Sequence, residues 1–181
     1  FERALQRLAD AGAHVIQVDI PEFAELPALH ARGTLAAAEA WAWHRALLSA
    51  RGDGYDPRVA SRIRGAQAMG AADYIDLRHA RRHWIAQVGA RIAAFDALVM
   101  PTVPVVAPPI ADLQASDQAY AAANALLLRN PTLINFLDGC ALSLPCHARG
   151  QAPVGLMLAG PAMADARILA LGEAVEAALA D

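Results

Sequence analysis

Apolar residues along this chain fall into helical and strand patterns in alternation. FERALQRLADAG places Phe1, Leu5 and Leu8 on one helical face and ends at Gly12, a residue suited to a left-handed cap. HVIQVDI, from His14 to Ile20, is β-branched and partly alternating, which predicts a strand stopped by Pro21. Between about Glu22 and Ala50, Leu29, Leu35, Trp41, Trp43, Leu47 and Leu48 cover more than one face, as in a helix buried on two sides. RGDGYDP, Arg51 to Pro57, is a turn by composition, and a shorter helix comes next from Arg58. A long helix is predicted from about Ala72 to Phe95, with Leu77, Trp84, Val88, Ile92 and Phe95 as its core stripe.

The second half of the chain is richer in strand signals. ALVMPT, Ala97 to Thr102, reads as a strand buried on both faces, and the prolines of VPVVAPP bias the next residues toward extended backbone. A helix near Ser116 to Leu128 comes next, then a second short helix capped by Asn130 with Pro131 in its first turn. ALSLPCH and PVGLMLA, on either side of ARGQ, are expected to pair as strands. Asp165 opens a last helix with Ile168, Leu171, Val175 and Leu179 in one stripe. The order is that of an α/β fold, and the helix-then-strand unit at Phe1 leads us to expect a first strand upstream of it.

Composition narrows the chemistry. With 181 residues and 56% apolar content, the chain has the length of one domain and enough material for a sizeable core. A formal charge of -3 and the lack of clustered arginines with interleaved aromatics argue against nucleic acid as a partner. The uncharged run Ala97 to Ala111, which no other uncharged run exceeds in length, holds four prolines and is too short to span a bilayer, so no membrane association is expected. Cys140 and Cys146 form neither a disulfide framework nor a CxxC spacing, which points to a reducing cytoplasm. All 15 basic residues are arginine. A lysine base, a lysine Schiff base and a P-loop lysine are therefore all excluded within this chain.

Each candidate chemical group has a plain structural alternative. Cys146 and His147 are adjacent in a predicted strand, where neighbouring side chains point to opposite faces, so they do not form a nucleophile and base. His79 and His83 have the i, i+4 spacing of two zinc ligands, but the run HARRH lacks the glutamate of HExxH and both fall outside the apolar stripe. No metal or cofactor is expected. Glu39 is read as the partner of a nearby arginine rather than as a pocket carboxylate. Thr102 lies past the end of a predicted strand, where open sheets bind ligands, and equally suits a hydroxyl closing a turn. Arg62, in SRIRG, offers a planar fork for a carboxylate or carbonyl, or a surface ion pair.

Five segments in order, AAAEAW (Ala36 to Trp41), SRIRG (Ser61 to Gly65), FDALVMPTVP (Phe95 to Pro104), RNPTLINFLDGCALSLPC (Arg129 to Cys146) and PVGLMLAG with DARILALGEAVE (Pro153 to Glu176), resemble the carboxyl-terminal part of amidase signature enzymes. The resemblance implies part of an α/β/α sandwich around a mixed, twisted sheet, with the amino-terminal portion missing and residues 1–181 forming the rest of a single domain. It implies hydrolysis of amides by a serine nucleophile, a bridging serine in a cis peptide and a lysine. The lysine draws a proton through the second serine and so activates the first, while backbone N–H groups hold the oxyanion. This chain has neither a Gly-Gly-Ser-Ser run nor a lysine, so the triad is expected upstream of Phe1 and the segment alone is expected to be inactive.

On that resemblance the segment supplies scaffold and one side of the cleft for a small-molecule amide, with Arg62, Thr102 and Asn130 as substrate-binding residues. In the glutamine-hydrolysing subunit of tRNA-dependent amidotransferases the arginine matching Arg62 helps hold the substrate's carboxylate. The acidic partner of that arginine falls, without gaps, at Leu128, which makes glutamine a poor substrate here. Apolar surface left by missing strands predicts association, as a homo-oligomer or with the amino-terminal part. Two other classes fit the residues: a stand-alone, non-catalytic α/β module that binds a small molecule or partner chain, and a cysteine hydrolase around Cys146.

Overall fold

The computed structural model describes residues 1–180, which fall into two compact units: residues 1–20 with 87–180, and residues 21–86. The helices are α1 (Glu2–Asp10), α2 (Leu26–Leu29), α3 (Leu35–Arg51), α4 (Pro57–Gly65), α5 (Ala71–Ile92), α6 (Ile110–Gln114), α7 (Asp117–Phe136) and α8 (Asp165–Leu179). The strands are β1 (Leu98–Pro101), β2 (Cys140–Pro145) and β3 (Gly155–Gly160).

The first unit is built on one small sheet. β3 lies in the centre and pairs antiparallel with both neighbours, Val99 opposite Leu158 on β1 and Leu144 opposite Leu156 on β2. Because side chains alternate along a strand, β3 presents two apolar faces. Leu156 and Leu158 look toward Ala4 and Leu8 of α1 and Ile168 of α8, which together bury a core with Leu144. Met157 and Ala159 look the other way and pack against Ile134 of α7. Helices thus cover both faces of the sheet, as the α/β reading requires.

Local chemistry fixes the ends of these elements. α1 stops where Ala13 N–H donates to Leu8 O at 2.9 Å and Gly12 takes φ 98°, the left-handed cap read from the sequence. α7 begins with the Ser116 hydroxyl accepting from Ala119 N–H at 3.0 Å. α8 lies so close to β2 that a side chain at Gly172 would meet Leu142.

In this first unit the fold corrects two expectations from the sequence. His14 to Ile20 forms no strand: no neighbouring strand among the described residues supplies a ladder, and Val15 and Ile16 stay exposed. A β-branched run without a hydrogen-bonding neighbour has nothing to hold it as sheet. The helix from Ser116 and the short one after Asn130 are one continuous helix, with Pro131 inside it. Proline removes a single N–H donor there, and Ile134 and Phe136, both buried, hold the last turns in place.

The second unit is helical. Thr34 caps α3 through Ala37 N–H at 3.1 Å, and Asp56 caps α4 by accepting from Arg58 and Val59 N–H at 2.8 and 3.1 Å. Leu48, Ala60 and Ile63 form the core between α3 and α4. Trp84, 1% exposed, donates its indole N–H to Glu22 O at 2.8 Å and stacks on Phe23 with centroids 5.9 Å apart. Two-sided burial of the alanine-rich region is not what the unit shows. Trp43 is 82% exposed, and Pro21, Pro27 and Gly33 at φ 133° break residues 21–34 into short turns of helix. Burial holds the His30 imidazole below the usual histidine range.

Candidate substrate-contacting site

The end of the sheet where β1 and β2 finish and β3 begins brings together polar side chains from three elements of the first unit. Thr102 continues the ladder one residue past β1, its N–H donating to Gly155 O at 2.8 Å. Its hydroxyl reaches across β3 to the hydroxyl of Ser143 on β2, with the two oxygens 2.6 Å apart. Gly155 lies beneath them. A Cβ on that residue would come within 2.6 Å of both hydroxyl oxygens, so only glycine lets the outer strands' hydroxyls meet over the central one.

Asn130 supplies the support behind this pair. It projects from α7, is 6% exposed, and donates from Nδ2 to Pro101 O at 2.7 Å. Its Oδ1 accepts from Arg129 Nε at 3.2 Å. A buried carboxamide with both ends engaged is a brace: it ties α7 to the last residue of β1 and so sets where Thr102 stands. Asn130 therefore does not cap a helix, because it lies inside one.

Between two hydroxyls one O–H donates and the other oxygen accepts, which leaves one O–H free to donate outward and lone pairs free to accept. Such a pair can hold an amide carbonyl or its N–H. It is not a nucleophile with a base, since the partner of Ser143 Oγ is another alcohol.

The remaining candidates resolve separately. Arg62 lies on the last turn of α4 in the helical unit, exposed, next to Arg64, where cations favour the helix C-terminus. Cys146 packs against the sheet core on the α1 and α8 side, while His147 holds the loop after β2, its Nδ1 accepting from Val154 N–H at 3.3 Å. They do not form a dyad. His79 and His83 are exposed on α5. Glu39 takes neither of the roles weighed for it: Tyr74 OH donates to its Oε1 at 3.0 Å. The sequence pattern does not single out Ser143, Gly155 or Arg129, although a glycine opening an apolar strand signals a close approach.

Known proteins resemble this chain along nearly its whole length. A family profile described as Amidase matches residues 1–169. The chain belongs to the amidase family. It is 33% identical over 177 residues to the 2-amino-5-chloromuconic acid deaminase of Comamonas testosteroni, covering 97% of this chain and 38% of that protein. It is 27% identical over 204 residues to a glutamyl-tRNA(Gln) amidotransferase subunit of Salinispora arenicola, covering 99% of this chain and 40% of that one. Among solved structures, an amidase crystal structure superposes with TM-score 0.79 at 26% identity, covering 99% of this chain and 41% of the other. An allophanate hydrolase from Kluyveromyces lactis superposes with TM-score 0.85 at 24% identity and shows the amidase fold alone. The chain thus spans about two-fifths of the length of the first three of these relatives. No helix among the described residues is long and apolar enough to cross a membrane.

Proposed function

We propose that this chain is the carboxyl-terminal portion of a single amidase domain, in a cytoplasmic enzyme that hydrolyses the C–N bond of small linear carboxamides. Family membership over residues 1–169, together with a sequence that contains no lysine, is the observation that carries this reading. The serine, bridging serine and lysine of the triad then come from upstream, and this segment contributes scaffold and one wall of the substrate cleft. Water attacks the acyl-serine intermediate formed when the amide's nitrogen leaves as amine or ammonia.

In this reading Thr102 orients the substrate, with Asn130 holding Thr102 in place from behind. Arg62 pairs with a carboxylate of the substrate. The name of the Comamonas relative, a deaminase of an amino-substituted dicarboxylic acid, supports a carboxylate-bearing substrate; Leu128, at the place of an acidic residue that reads an amino group, argues against glutamine. The test is Arg62→Ala in the full-length enzyme, with ammonia release followed on paired amides that differ by one carboxylate. We expect kcat/KM to fall about tenfold to a hundredfold for the carboxylate-bearing amide and to hold for the neutral one. Equal kcat/KM on both, before and after the change, removes Arg62 from the substrate's contacts.

A further inference from the structure

The helical unit holds a surface cleft of about 240 Å³ lined by Trp41, Arg45, Leu48, Ser49, Arg64 and Gln67. Its polar lining is uniform in one respect: the indole N–H, both guanidinium groups, the hydroxyl and the carboxamide can all donate hydrogen bonds, and no carboxylate is among them. Among the described residues none of these five side chains has a hydrogen bond, ion pair or ring contact. Several other polar groups of the helical unit are engaged. Arg32 is paired with Asp73 at 3.0 Å, Asp56 is spent on the start of α4, and Tyr74 holds Glu39. The floor is apolar, Leu48 belonging to the core between α3 and α4 and the Trp41 ring packing against that core.

We propose that this cleft binds a small carboxylate with a flat apolar body. Two guanidinium forks match the planar geometry of a carboxylate, whose oxygens accept two parallel N–H bonds. The indole and leucine supply a surface for a ring or a conjugated chain, which a bare phosphate lacks. Ser49 sits one helical turn after Arg45, so its hydroxyl is on the face of α3 that carries the guanidinium. No step of hydrolysis runs through this cleft, and the proposal stands apart from the amidase reading.

The experiment is isothermal titration calorimetry of the full-length protein with sodium benzoate, with inorganic phosphate and benzyl alcohol as comparison probes. Benzoate is expected to bind saturably, more weakly as salt is raised, and more tightly than either comparison. Arg45→Ala and Arg64→Ala should each weaken it by about tenfold, while Arg51→Ala, on the same helix as Arg45 but outside the cleft, leaves it unchanged. Ser49→Asp puts a carboxylate beside the guanidinium groups and should weaken binding without removing either arginine, so the outcome does not depend on the alanine variants folding. Absence of saturable heat with benzoate, binding that Ser49→Asp and the arginine variants leave unchanged, or tighter binding of phosphate would each overturn the proposal.

Discussion

Two alcohol side chains, on strands separated by a third, touch because the residue between them has no side chain. Gly155→Ala is the sharpest probe of that arrangement, since the new methyl would meet Thr102 Oγ1 and Ser143 Oγ at 2.6 Å and the less mobile Thr102 Cβ at 3.1 Å. We predict a loss of about 1–3 kcal/mol in stability, read from urea denaturation. Adding Ser143→Ala should return part of that loss, and a double variant no better than Gly155→Ala alone would mean that the hydroxyl contact is not where the strain falls. Thr102 was legible in the sequence because it comes just after an apolar run; Ser143 was not, because its importance depends on register, and Ser143 faces Thr102 only once β3 is fixed between them. Asn130 was legible as a polar residue of interest and misread as a cap, because a proline one residue later is the ordinary mark of a helix start.

Among the elements, α5 follows the expected stripe closely: Leu77, Trp84, Val88 and Ile92 are all buried, while Phe95 lies past the end of the helix and is half-buried. A long periodic stripe is set by helical geometry alone and so reads directly from the chain. The two paired strands β2 and β3 were equally plain. The strand expected at His14 to Ile20 was not, since β-branched composition says that a segment can pair and not whether a neighbour is there to pair with it. At this scale the indole of Trp84 joins α5 to the turn at Glu22. Trp84→Phe keeps a ring against Phe23 and removes the indole hydrogen bond to Glu22 O, for a predicted cost of about 1–3 kcal/mol. The urea midpoint checks this, and an unchanged midpoint would show that water or another donor serves the carbonyl equally well.

For the whole molecule, the amidase family and an α/β fold with helices on both faces of its sheet are established by the match over residues 1–169 and by the superposition on an amidase structure. Five short segments in the right order were enough to read that family from the sequence. The division into a sheet unit and a helical unit was not legible, since nothing in composition changes at Pro21 or Ala86. The central proposal is about chemistry: that this chain, which has no lysine and spans about two-fifths of its relatives, supplies one part of a hydrolytic site whose nucleophile and base lie elsewhere. The most direct measurement is ammonia release from a simple carboxamide such as benzamide by the purified 181-residue chain and by the full-length protein, side by side. The account predicts turnover by the full-length protein and none above buffer by the chain alone; turnover by the chain alone would contradict it.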